Sequence, residues 1–218
     1  MELYNSVVGF FQSGGLFMYP IMVVLALGLA IAIERYVYLS LAKTTNQRLW
    51  NKLMPLLKAG EYRQVAADIA KSRSAISHIF NYGLSRARTS RRRDDVEIAM
   101  EEGLMETVPN LEKRTPYLAT FANIATLLGL LGTIIGLIQA FTAVAAADPA
   151  EKANMLSASI SVAMNTTAFG LMVAIPLLLI YAVLQTKTTQ LVDSLEMASV
   201  KFLNILTEQS EQHTARSQ

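Results

Sequence analysis

Two stretches of this chain, Tyr117–Ala147 and Ala153–Gln185, run for thirty-one and thirty-three residues without a charge. A helix needs about 20 predominantly apolar residues to cross a bilayer, so each has length to spare. Backbone groups in hydrocarbon have no water to bond, which makes the helix the natural form for such a span. A third apolar run, Leu16–Ile33, covers eighteen residues and is followed at once by Glu34-Arg35. These runs point to an all-α membrane protein: three transmembrane helices, a cytoplasmic helical domain and long helices extending into the cytoplasm.

The first run raises the question of a cleaved leader, since Ala30-Ile31-Ala32 has a small-x-small pattern. A secretory signal carries a basic start and an apolar core of about 7–15 residues. Here the core is longer and only Glu2 precedes it, so the run reads as a retained span. Ahead of it, Leu3, Tyr4, Val7, Val8, Phe10 and Phe11 alternate with polar residues, as in a short amphipathic helix lying on the membrane surface. Gly14-Gly15 breaks that helix, and Pro20 sits near the start of the span, where a missing N–H costs least.

Charged residues make up 17% of the chain, against roughly 25% in soluble domains. Most of the Lys and Arg lie between Lys43 and Arg114, and there the chain turns soluble in character. Leu49, Trp50, Leu53, Leu56 and Leu57 share a helical face over residues 46–57, with Gly60 as its stop. Tyr62, Val65, Ala66 and Ile69 repeat the pattern, and Ile76, Ile79, Phe80 and Leu84 mark a third helix. Asp94 and Asp95 read as an N-cap and first-turn pair for a helix through Val96, Met100, Leu104 and Val108. That helix is expected to run into the membrane with a bend near Pro109 or Pro116. In the tail, Leu184, Leu191, Leu195, Ala198, Phe202 and Ile205 keep a heptad spacing, skipped once at Thr188, that favours packing against another helix.

Orientation follows from the cations beside the spans. Arg35, Lys43 and Arg48 follow the first span, Lys113 and Arg114 precede the second, and Lys187 follows the third, whereas only Lys152 lies between the second and third. The positive-inside rule then places the middle domain and tail in the cytoplasm. The expected order is a periplasmic amphipathic helix (residues 1–14), a first span (15–38), a cytoplasmic helical domain (39–116), a second span (117–147), a periplasmic loop (148–152), a third span (153–185) and a cytoplasmic C-terminal helix and tail (186–218).

Function has to come from what the spans contain. None has an ionisable side chain in its apolar core; Glu34 and Arg35 lie at the cytoplasmic edge, within reach of water. Proton movement through a bilayer normally uses an intramembrane Asp or Glu, so either this chain moves no ions or a partner supplies the carboxylate. Thr126, Gly129, Thr133 and Gly136 share one face of the second span, with Gly132 and Gly136 as a G-x-x-x-G. Ser159, Ala163, Thr167, Gly170 and Ala174 form a like stripe on the third, flanked by Asn165 and Thr166. Small and hydroxylated residues of this kind pack membrane helices closely. A buried amide or hydroxyl without a partner costs roughly 2–7 kcal/mol, which a water-filled cavity lined by both spans would relieve. Packing surface and pore both remain open on these residues alone. A solute carrier fits poorly, because inverted repeats and broken helices are absent.

TLLGLLGTIIGLIQAF (Thr126–Phe141) and ISVAMNTTAFGLMVAIP (Ile160–Pro176) together resemble the paired signature of the MotA/TolQ/ExbB family. The three spans, the large first cytoplasmic segment, the helical tail and SAISHIFNYGLSRA (Ser74–Ala87) are similar to its ExbB/TolQ branch. The resemblance implies an ion-conducting ring subunit of an inner-membrane energy-transducing motor. Five such chains would surround the single membrane helices of two ExbD/TolR-like subunits, whose Asp is the missing carboxylate. Force would pass to a TonB-like or other periplasm-spanning protein. It also implies pore-facing roles for Thr133 and Thr167. Val162 stands where the branch usually carries Glu, and the pair Thr166-Thr167 looks like sodium-driven stator subunits. Those two departures favour sodium, but frequency within the family favours the proton, which is the expected ion, with sodium as alternative. In the sodium case Asn165, Thr166, Thr167, Ser161 and nearby carbonyls would supply the oxygens. Gly129, Gly132, Gly136 and Gly170 are read as helix-packing positions.

The other features are bland. His78 reads as a surface or packing residue and Trp50 as part of the helical domain. Arg91-Arg92-Arg93, offset by Asp94-Asp95, suits a solvated face or anionic lipid headgroups and gives no support for nucleic acid. With no Cys and no nucleotide loop, metal spacing or nucleophile–base set, neither an enzyme nor a resident metal or cofactor is expected.

Overall fold

The computed structural model describes residues 14–90 and 92–216; the amphipathic helix expected over residues 1–14, Gly14 apart, and Arg91 of the basic run lie outside them. The described residues form six helices and no strand: α1 Met18–Lys58, α2 Tyr62–Lys71, α3 Ala75–Thr89, α4 Arg93–Glu112, α5 Thr115–Ala146 and α6 Lys152–Arg216. Three of them are long and apolar enough to cross a membrane.

The first span does not end where the apolar run does. Between Ile33 and Leu53 there is neither Gly nor Pro, so nothing interrupts the backbone ladder, and α1 continues for 41 residues, about 60 Å at 1.5 Å per residue. The separate helix expected over residues 46–57 is the far end of α1. It stops at Gly60, whose φ of +76° is the left-handed geometry that suits glycine. The Gly60 N–H bonds to the Leu57 carbonyl and the Glu61 N–H to that of Leu56, at 3.1 and 3.0 Å. α6 is longer still, 65 residues with Pro176 inside.

The chain divides into two compact units. The first joins the described residues up to Glu34 with Arg114–Val183. Its interior holds Met18, Ile21, Leu118 and Leu177 together with small residues such as Ala122, Ala125, Ala140, Ala163 and Ala174, and large apolar side chains, among them Leu127, Leu130, Ile138, Phe141, Met164 and Leu179, also face outward. No more than 33% of any span's most apolar window is buried, which suits helices solvated by lipid or by other chains. The Glu34 carboxylate pairs with Arg114 at 3.5 Å.

The second unit joins Arg35–Lys113 with Leu184 and the residues that follow. Phe80 stacks on Phe202 with ring centroids 4.2 Å apart, and Trp50 tilts against Phe80 at 5.9 Å. The heptad positions Leu184, Leu191, Leu195, Ala198 and Phe202 are buried here, and Thr188 fills the skipped place with its hydroxyl on the Leu184 carbonyl. The helix that this seam packs against therefore includes the chain's own α3. Ser74 caps α3 by accepting the Ser77 N–H, and the Asn46 side chain of α1 accepts the N–H of Ile76. His78 is exposed, 3.6 Å from Glu106, consistent with a surface role.

One expectation about α4 is corrected in this unit. Asp94 is not the N-cap of α4; Arg92 holds that position and both aspartates lie in the first turn. The Asp95 carboxylate accepts the Ser90 hydroxyl at 2.5 Å, and that bond, aided by Arg86 and Arg92, holds its carboxyl below the usual range. The break after α4 falls at Lys113-Arg114, close to Pro116, one of the two prolines near which a bend was expected. Arg114 has a φ of 68°, Pro109 stays inside α4, and Pro116 is tolerated in the first turn of α5.

Arg35 is the second unit's other departure. It does not reach water: it is 2% exposed, donates to the Leu111 carbonyl at the end of α4, and lies 4.7 Å over the Tyr38 ring. The last carbonyls of a helix have no partner within it, and Arg35 supplies one. Arg35→Leu is expected to leave that carbonyl unsatisfied and lower the unfolding free energy by about 1–3 kcal/mol, read as a lower melting temperature in detergent. An unchanged transition would show that water replaces the guanidinium at no cost.

Candidate functional site

The glycines of α5 and α6 let the two backbones touch. A Cβ placed on Gly170 would lie 2.7 Å from the Ala125 carbonyl oxygen and 3.1 Å from Gly129 Cα; one on Gly129 would lie 3.3 Å from the Cα atoms of Gly170 and Thr167. One turn along, a Cβ on Gly132 would meet the Thr166 methyl at 2.5 Å, and two turns along, one on Gly136 would meet the Ala163 Cβ at 2.9 Å. All four glycines therefore sit at the crossing, where interaxial approach is set by backbone rather than side chains.

At this separation a threonine hydroxyl on one helix reaches the other. The Thr133 and Thr167 hydroxyls are directly hydrogen-bonded to each other. The Gly129 carbonyl is within reach of both as acceptor, 2.9 Å from Thr167 across the interface and 3.1 Å from Thr133 within its own helix; with one proton each, one hydroxyl donates to the carbonyl while the other donates to its neighbour. Two hydroxyls and one carbonyl thus form a compact polar cluster in an apolar crossing. Each threonine is only half-buried, so one side of the cluster stays open to whatever lies beside this chain.

The other candidates fall elsewhere. Thr166 is buried, its hydroxyl on the Gly14 carbonyl at 2.5 Å and the Val162 carbonyl at 3.0 Å. Ser161 is exposed and Asn165 half-buried. At 3.6 residues per turn they stand roughly 120° and 160° around α6 from Thr167. Within one chain, then, Thr133 and Thr167 are brought together, while Ser161, Asn165 and the Thr166 hydroxyl do not surround a common point with them. At the crossing the two spans are in backbone contact, and the Thr166 hydroxyl has carbonyl acceptors within its own chain.

The residues that sequence reasoning missed are carbonyls. Gly129 and Gly14 act through main-chain oxygens, and the only trace they leave is the glycine that permits the approach. Among the described residues no group of three or more His, Cys, Asp or Glu is placed to hold a metal ion.

The model of the MotA/TolQ/ExbB proton channel family matches residues 71–197, which is more than half of the chain and includes the whole α5–α6 crossing. The chain belongs to that family. Among its curated relatives, a putative biopolymer transport protein ExbB homolog of Methanothermobacter thermautotrophicus is 28% identical over 199 residues, 90% of this chain and 69% of the relative. A putative ExbB-like protein of Synechocystis is 27% identical over 174 residues, 77% of this chain and 80% of that one. The Tol-Pal system protein TolQ of Haemophilus influenzae is 37% identical over 83 residues, 38% of this chain and 36% of its own. The protein is thus a multi-pass membrane energy-transduction subunit of the MotA/TolQ/ExbB family, in its ExbB/TolQ branch.

Proposed function

We propose that this MotA/TolQ/ExbB-family protein conducts protons as the ring subunit of an inner-membrane motor. Five copies surround two single-span ExbD/TolR-like helices, with the N-terminus periplasmic and the middle domain and tail cytoplasmic. The observation that carries the reading is the Thr133–Thr167–Gly129 cluster, half open at a tight crossing between two spans that hold no carboxylate of their own. An Asp on the partner helix facing that opening would gain and lose the proton. The hydroxyls, each both donor and acceptor, would pass it along or hold the water that does.

The choice of proton over sodium rests on the same geometry. Dehydrated sodium needs several oxygens at once, and Thr166, Ser161 and Asn165 stand about 100°, 120° and 160° around α6 from Thr167, so within one chain they do not converge with the Thr133–Thr167 pair. Energetics do not discriminate, since any monovalent ion yields roughly 2.3 kcal/mol per 100 mV.

The test is co-production with a single-span partner, purification, and activity after sodium is replaced at constant ionic strength. Work that persists without sodium and stops when the proton gradient is dissipated is the expected result. Activity that vanishes without sodium and returns with it would overturn the proton. A ring purified with no foreign helix at its centre would favour a structural scaffold.

A further inference from the structure

We propose that Thr166 is a positioning residue that clasps the entrance of α1 onto the α5–α6 crossing, and that its hydroxyl is not part of the ion path. Thr166 is 2% exposed. Its hydroxyl donates to the carbonyl of Gly14, 152 residues away in sequence, and its methyl occupies the space that the missing side chain of Gly132 leaves on α5. Phe17 closes the same space: a Cβ on Gly132 would lie 3.2 Å from Phe17 Cβ. Gly15, with a φ of +74°, turns the chain into α1, and a Cβ there would lie 3.3 Å from Val162 on α6. Two helices and the segment that leads into α1 therefore meet at one threonine.

The hydroxyl has a reason to be there. Gly14 lies before the first turn of α1, and a buried carbonyl at membrane depth needs a donor. Thr166 provides one from another helix, so the bond fixes where α1 begins relative to α6. Thr167, the next residue, points about 100° around the helix toward Thr133 and the Gly129 carbonyl. The two adjacent threonines thus have divided duties: Thr167 joins α6 to α5, and Thr166 joins α6 to the start of α1. Because the Thr166 methyl bears on Gly132, loosening it disturbs the stretch of backbone that presents Thr167.

The catalytic part of this inference rests on the proposed ion path at Thr133 and Thr167; the clasp itself does not. Two measurements on the full chain with its partner separate them. In the Cys-free chain, Gly15→Cys with Val162→Cys is expected to cross-link on mild oxidation. Adding Thr166→Val, which keeps shape and removes the donor, should slow that cross-linking, and adding Thr166→Ser should not. Unchanged cross-linking with Thr166→Val overturns the clasp whatever the activity shows.

In the second measurement, Thr166→Val alone should lower maximal ion-driven work about tenfold. The pH of half-maximal activity should stay put, sodium should have no effect, and Thr166→Ser should restore most of the loss. A shift in the pH midpoint, or a new sodium requirement, would make Thr166 part of the ion path and overturn the proposal. Cross-linking that behaves as expected in a complex with no ion-driven work would instead overturn the functional reading and leave the clasp standing.

Discussion

Thr133→Val and Thr167→Val are each expected to abolish ion-driven work while leaving the complex assembled. Valine nearly preserves the shape of threonine, and the Gly129–Gly170 contact that holds α5 to α6 does not involve either hydroxyl. What is lost is one polar contact of roughly 1–2 kcal/mol, too little to separate two helices in backbone contact. The remaining hydroxyl keeps the Gly129 carbonyl but has no second hydroxyl to exchange a proton with. Co-purification with the single-span partner reads assembly, and proton uptake in reconstituted vesicles reads conduction. Normal uptake in both variants would reduce the cluster to a packing device.

Substitutions at the glycines should have the opposite signature, loss of assembly. Gly170 meets backbone: its added Cβ would press on the Ala125 carbonyl at 2.7 Å and on Gly129 Cα at 3.1 Å. Neither can rotate away, so Gly170→Val must force the helices apart, at a cost above the roughly 1–3 kcal/mol of ordinary overpacking. No intact complex is expected from detergent extraction. Gly136 differs, because its added Cβ would meet a side chain, that of Ala163, at 2.9 Å. Gly136→Ala should weaken the complex, and Ala163→Gly in the same chain should restore it by returning the space. Size-exclusion yield and thermal midpoint check both. An intact Gly170→Val complex, or a failed Gly136/Ala163 rescue, would mean the crossing is looser than described.

How much of this could be read from residues alone depended on whether a signal was local. The spans were legible because hydrocarbon demands long uncharged runs. The Thr126–Gly129–Thr133–Gly136 stripe of the second span and the Ser159–Ala163–Thr167–Gly170–Ala174 stripe of the third were legible because helical periodicity puts each on one face of its own helix. The continuity of α1 past residue 38 was hidden, since polarity changes there while the backbone meets no breaker. Thr166 illustrates a second limit. Sequence places it beside Thr167, but adjacent helical residues point about 100° apart, and its partner is a main-chain oxygen 152 residues away. Arg35 was misjudged for the same reason: a cation at a span edge ordinarily reaches water, and nothing near it in sequence announces the helix end that it caps.

That buried arginine also imposes an order in time. Leu111 is made 76 residues after Arg35, an interval of about 4–15 s at typical rates of synthesis. Until then the guanidinium has no helix end to cap and stands as a bare positive charge just behind the first apolar run, where such charges influence which way a nascent span settles. Only when α4 is complete can it be withdrawn into the fold. One side chain can thus serve first as an orienting signal during insertion and afterwards as part of the finished structure, with the length of chain between Arg35 and Leu111 acting as the delay.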